Sequence, residues 1–153
     1  MAIAAAVVLA VIAGLAIFMG RGKSGPQVTP INAPLDAYAA NLPVSNLAMS
    51  ESSNLAGSKL TYLDGHITNQ GNRTITAITV QVLFRDYAHE VAQNETLPLM
   101  LIRTRQPYVD VEPVSADPLK PGDQRDFRLI FDTVADSWDG QYPQVRIIHV
   151  VSK

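Results

Sequence analysis

The chain has 153 residues, 47% of them apolar and 17% charged, with a formal net charge of −2, the size of one small domain plus an appendage. Removing residues 1–25, which hold Arg21 and Lys23, leaves 10 Lys/Arg against 14 Asp/Glu and a balance of −4. That excludes a nucleic-acid binder working by bulk charge. The absence of cysteine excludes disulfide scaffolds, thiol nucleophiles and thiolate zinc sites. It leaves the redox compartment open.

Residues 2–19, AIAAAVVLAVIAGLAIFM, are eighteen consecutive apolar or glycine residues without a charge. As a helix they would run about 27 Å, close to the ~30 Å hydrocarbon core of a bilayer. No polar face recurs at helical spacing, as it would on a helix lying on a soluble domain. Residues 1–20 are therefore expected to form a transmembrane signal-anchor. A cleaved signal peptide would want a basic start, a shorter apolar stretch and a small-x-small cleavage site. Ala6, Ala10 and Gly14 share one stripe, in line with Ala2, and their small-xxx-small spacing allows a homodimer through close helix approach.

Residues 21–41 carry Gly20's neighbours Gly22 and Gly25 and then Pro26, Pro30 and Pro34, and read as an extended linker holding the domain off the bilayer. Within it, residues 35–39 have the pattern of a helical turn, and Tyr38 is expected at the membrane interface.

Residues 42–153 are expected to be all-β. Residues 44–49 are a short strand candidate, and residues 59–69 alternate up to the turn cluster Asn69-Gln70-Gly71-Asn72. Residues 74–86 alternate most clearly. Ile78, Val80, Val82 and Phe84 point one way, Thr79, Gln81 and Arg85 the other, and Leu83 breaks the polar face. Residues 96–103, TLPLMLIR, read as an edge strand because Pro98 cannot donate to a ladder. Residues 107–118 are a proline-punctuated edge or extended loop, and Lys120-Pro121-Gly122-Asp123 has the composition of a type II turn. Residues 124–132 follow with Phe127, Leu129 and Phe131 inward. Residues 134–140 have a helical-turn pattern, and 143–151 form the last strand. Short strands at this spacing, without strand–helix alternation, indicate an antiparallel β-sandwich. Trp138 is expected to plug its end.

The chemistry-bearing residues are few. His66 and His149 could assemble a metal or ligand site if their strands were neighbours, but no HxH or HExxH spacing supports one. Asp86, His89 and Glu90 follow the best strand, where a hydrolase could display a catalytic group. No GxSxG elbow, glycine-rich phosphate loop or recognisable acid pair accompanies them, so a non-enzymatic protein without cofactor or metal is expected. Asn72-Arg73-Thr74 and Asn94-Glu95-Thr96 match the N-glycosylation pattern, which matters only in a eukaryotic secretory setting. Arg103, Arg105 and Tyr108 form a basic-aromatic patch beside the apolar TLPLMLI edge. Leu99, Leu101, Arg103, Arg105 and Tyr108 are thus the candidate interaction surface, and an uncovered apolar edge argues for a partner.

The stretch Leu63-Asp64-Gly65-His66-Ile67-Thr68-Asn69-Gln70-Gly71, with residues 78–86 after it, resembles the G-x-(hydrophobic)-x-N-x-G opening of FxLYD-type, immunoglobulin-like domains. Leu119-Lys120-Pro121-Gly122-Asp123 and Phe127 resemble the later L-x-P-G-(D/E)…F segment. The longer tract from Thr96 to Asp132, with Trp138 and residues 143–148, is similar to an uncharacterised bacterial family whose members carry one N-terminal membrane helix and one such domain. The resemblance implies an immunoglobulin-like β-sandwich on the periplasmic side of the bacterial inner membrane, and it carries no catalytic residues. The positive charges of Arg21 and Lys23 favour a cytoplasmic domain instead, a conflict that an upstream start would remove. The leading expectation is a non-enzymatic membrane-anchored module that binds an envelope protein. The second is a tethered ligand- or metal-sensing module using His66 and His149.

Overall fold

A computed structural model describes residues 29–53, 57 and 59–153. The expected membrane helix and its Ala6-Ala10-Gly14 stripe lie outside the described residues. Among the described residues, eight strands follow in chain order: β1 (Val44–Ser53), β2 (Lys59–Thr68), β3 (Ile75–Arg85), β4 (Val91–Pro98), β5 (Met100–Thr104), β6 (Asp110–Pro113), β7 (Gln124–Phe131) and β8 (Gln144–Ser152). They make two antiparallel sheets, β1-β2-β7-β5-β6 and β4-β3-β8. A short 3-10 helix, Ala39–Asn41, precedes β1.

The alternation of each strand decides what enters the space between the sheets. β2 sends Leu63 and Ile67 inward, β3 sends Ile78, Val80, Val82 and Phe84, and β7 sends Phe127, Leu129 and Phe131, all buried in one core. Phe84 meets the edges of the Phe131 and Trp138 rings with centroids 5.0 and 5.6 Å away, so Trp138 closes one end of the sandwich.

The glycine and asparagine motifs around residues 65–71 and 119–127 have structural reasons. Gly65 pairs with Phe127 across β2 and β7, and a Cβ on Gly65 would overlap the phenylalanine ring. Asn69, fully buried, is a hub. Its Nδ2 donates to the carbonyls of Arg73 (2.7 Å) and Leu119 (3.0 Å), and its Oδ1 accepts from the Tyr38 hydroxyl (3.2 Å) and the Gly71 amide (3.1 Å). A Cβ on Gly71 would collide with that same tyrosine hydroxyl. Gly122 takes a φ of +84° in the turn after Pro121, and the amide of Asp123 returns to the Lys120 carbonyl at 3.0 Å. These residues hold the chain's corners together.

Four expectations are corrected. TLPLMLIR is not one edge strand: the chain changes sheets at Leu99, leaving β4 as an edge and inserting β5 between β7 and β6. Leu97 is half-buried while Leu99 and Leu101 are in the core, so the apolar side chains stay between the layers while the backbone crosses. Residues 29–41 are not a free tether. Residues 29–33 lie across the outer face of the three-stranded sheet, held by Asn94, Gln81 and Arg146, and Asp36 ties the chain to β8, its amide donating to the Ile147 carbonyl (3.1 Å) and its Oδ2 accepting from the Val150 amide (2.8 Å). Tyr38 is not at an interface with lipid; it is buried against the Asn69 hub. Residues 134–140 form a turn and a bridge from Trp138 to Asp86 rather than a helical turn.

Candidate functional site

The structure separates the five residues of the sequence-predicted interaction surface. Leu99 is 1% exposed and Leu101 0%, so neither belongs to a surface; both are core residues, because the strand that carries them is paired on both sides or crossing between layers. Arg103, Arg105 and Tyr108 remain outside. Arg103 is clamped on Asp110 by Nε at 2.9 Å and by a second guanidinium contact to the same oxygen. Tyr108 is 81% exposed.

Arg105 belongs to a larger arrangement. Because β2 and β7 alternate, Tyr62, Asp64 and His66 from one and Asp126 and Arg128 from the other share the outer face of the five-stranded sheet. Asp64 receives Arg128 in bidentate fashion, Nε to Oδ1 at 2.6 Å and Nη2 to Oδ2 at 2.8 Å. The Arg128 guanidinium also lies over the Tyr62 ring, 4.6 Å from its centroid. Arg105 reaches in from the end of β5, with Nη2 on Asp126 Oδ2 at 2.7 Å and Nη1 3.5 Å from Asp64 Oδ2. His66 Nδ1 stands 2.9 Å from Asp126 Oδ1. A carboxylate only accepts, so the proton between them sits on the ring.

Two carboxylates thus face two guanidinium groups, and the row is close to neutral. The hydrogen bond from Arg105, helped by that from His66, holds the Asp126 carboxyl below the usual carboxylate range. The same pairing with Asp126 raises Arg105, and the Asp64 contact raises Arg128. The arrangement rivets β2, β7 and the segment after β5 together, with Arg105 held by two carboxylates.

The other sequence candidates are dispersed. His66 is on the five-stranded sheet and His149 on the three-stranded one, where its Nδ1 lies 4.0 Å from Asp36 Oδ2, so the two are not neighbours. Among the described residues, no group of three or more His, Asp or Glu side chains is placed to hold a metal ion. Asp86 shapes its hairpin: its Oδ1 accepts from the amides of Ala88 (2.8 Å) and Glu90 (3.0 Å). Asn94 spends its amide on the Thr29 carbonyl at 2.6 Å. The row from His66 to Arg128 escaped sequence reasoning because its members are distant in sequence and meet only through the β2–β7 register. The i, i+2 spacing of Asp64 and His66, and of Asp126 and Arg128, was the available sign that each pair shares a face.

No curated protein and no solved structure matches the chain. A family described as protein of unknown function (DUF2393) matches residues 42–146, from the residue before Pro43 to the third residue of β8. With most of its 153 residues inside that match, the chain belongs to the DUF2393 family.

Proposed function

We propose that this chain is a non-enzymatic, membrane-anchored module of the FxLYD, immunoglobulin-like kind. Its β-sandwich faces the periplasm and docks another envelope protein through the face around Arg103, Arg105 and Tyr108. One observation carries the docking reading: Tyr108, 81% exposed, lies within five residues of Arg103 and Arg105 in the chain, and both guanidinium groups are already fixed by carboxylates. Tyrosine and arginine dominate binding hot spots, and groups held in place before binding lose little freedom when a partner arrives. The uncharged run at residues 2–19 supports the anchor, and the glycine and asparagine motif at residues 65–71 supports the immunoglobulin-like kinship.

A photo-crosslinking amino acid at Tyr108 of the full chain in intact cells tests this reading, with Ser52 on exposed β1 as the control position. The expected result is one defined envelope-protein adduct from position 108, absent from position 52 and lost on Arg105→Ala. No adduct from 108, or equal adducts from both positions, overturns the docking face.

A further inference from the structure

The outer face of the three-stranded sheet carries a second feature, independent of the docking face. Of the outward residues of β3, Gln81 is taken up by the crossing segment, and Leu83, two residues on, is the floor of a cleft of about 460 Å³. Arg85 and Gln144 continue that floor, and Tyr87, Gln141 and Tyr142 rise around it. Tyr87 is 83% exposed and Tyr142 62%, whereas large aromatic side chains ordinarily bury most of their surface.

Both tyrosines stand on loops that are tied down. The Asp86 carboxylate pins the hairpin that carries Tyr87, and His89 closes it with a φ of +64°. Opposite, the amide of Asp139 donates to the Arg85 carbonyl at 2.9 Å, the Asp139 carboxylate accepts from the Gln141 amide at 2.9 Å, and Trp138 Nε1 donates to the Gln141 carbonyl at 3.0 Å. Arg85 is itself aimed, with Nη1 on the His89 carbonyl at 2.8 Å. The rings are therefore displayed from fixed supports, as a binding site requires.

The lining selects the class of ligand. Beside the His89 imidazole, Arg85 and Asp139 contribute one formal charge of each sign, so the cleft lacks the strong positive excess that phosphate groups demand. Leu83 is its lone aliphatic side chain, too little for a lipid tail. Two phenol rings supply apolar faces, while two glutamines both donate and accept, the guanidinium donates and the carboxylate accepts. A sugar ring matches that set, because one side of it is a sheet of C–H groups and its rim is hydroxyls that donate and accept at once. The volume lies in the range of small-molecule sites. We propose that the cleft between the Tyr87 hairpin and the Tyr142 turn binds an uncharged oligosaccharide, with the two tyrosines as stacking platforms and Arg85, Gln141 and Gln144 bonding its hydroxyls.

Trp138 is the only tryptophan, and its indole N–H is bonded to the wall of the cleft, so its emission reports on occupancy. The full chain, held in lauryldimethylamine oxide to avoid sugar-based detergents, is titrated with cellotetraose, chitotetraose and maltotetraose and applied to a glycan array. The expected result is a saturable change in emission with at least one probe, or a defined array signal. Tyr87→Ala and Tyr142→Ala should each weaken it at least tenfold without moving the unfolding midpoint. Flat titrations with a blank array overturn the proposal, as does binding that both variants retain. A photo-crosslinker at Tyr142 that captures a protein while sugars give no signal would make the cleft a protein surface, and would overturn it too.

Discussion

Gln81 and Arg146 face each other across β3 and β8, Gln81 Oε1 accepting from Arg146 Nη1 at 2.7 Å, and together they hold the backbone of the segment that precedes the sandwich. Gln81 Nε2 donates to the Pro30 carbonyl at 2.7 Å and to Asn94 Oδ1 at 3.0 Å; Arg146 donates to the carbonyls of Ile31 (2.8 Å) and Ala33 (2.7 Å). Gln81 is wholly buried beneath that segment. The acceptors that Gln81 and Arg146 use on the segment are main-chain oxygens, so this clasp reads the course of the backbone, with its turn closed by the Ala33 amide on the Pro30 carbonyl (3.0 Å), and not its side chains.

Gln81→Ala should therefore release residues 29–36. It removes one of the two donors to the Pro30 carbonyl, which keeps the Ala33 amide, and leaves the Asn94 amide oxygen without its Gln81 donor, a loss of about 1–3 kcal/mol, read as a lower urea midpoint. Cleavage by a broad-specificity protease within 29–36 should accelerate in parallel. An unchanged midpoint with unchanged cleavage would mean the clasp contributes nothing to the fold.

Leu101→Ala should cost about 2–5 kcal/mol, because it empties a core position, while Tyr108→Ala should stay within about 0.5 kcal/mol as a surface change. Chemical denaturation of both variants checks the pair. Equal small losses would return Leu101 to the surface.

That contrast shows what the sequence could and could not disclose. The alternation of β3 and β7 was legible, since in each the inward residues are bulky and apolar and few outward ones are. The fate of TLPLMLIR was not. A strand that changes sheets at Leu99 keeps the same apolar pattern as one that runs straight, and the difference lies in which backbone it pairs with. Residues 29–41 looked like linker for a related reason: prolines and small residues describe an unpaired backbone, and this one is satisfied by side chains from β3, β4 and β8. The family match begins at residue 42, after that segment. The exposure of the proposed surface was half legible. Arg103, Arg105 and Tyr108 are outside as expected, but the carboxylates that fix Arg105 come from β2 and β7, far away in sequence.

Gly65→Ala should destabilise the sandwich by about 1–3 kcal/mol through overpacking against the Phe127 ring. Thermal unfolding reads the loss as a lower midpoint. If Phe127→Leu in the same chain restores part of it, the clash is the cause; a variant as stable as the parent contradicts the close approach.

The Asp126 carboxyl titrates below its unfolded value because Arg105 and His66 bond its charged form. Its contribution to stability is thus complete at neutral pH, begins to fall as the pH drops below about 4, and vanishes once the pH passes the folded pKa. Asp126 is partly exposed, so solvent screens the effect. Asp126→Asn should flatten the stability profile below pH 4 relative to the parent chain. Parallel profiles would remove the carboxylate from the acid response.

The central claim is a sandwich outside the cytoplasmic membrane on an anchor formed by residues 2–19. Alkaline phosphatase, active only in the periplasm, and green fluorescent protein, fluorescent only in the cytoplasm, are each fused after Lys153 of the full chain. The account predicts phosphatase activity and a dark fluorescent fusion. A bright fluorescent fusion with inactive phosphatase would contradict it, and would make Arg21 and Lys23 the true guides to orientation.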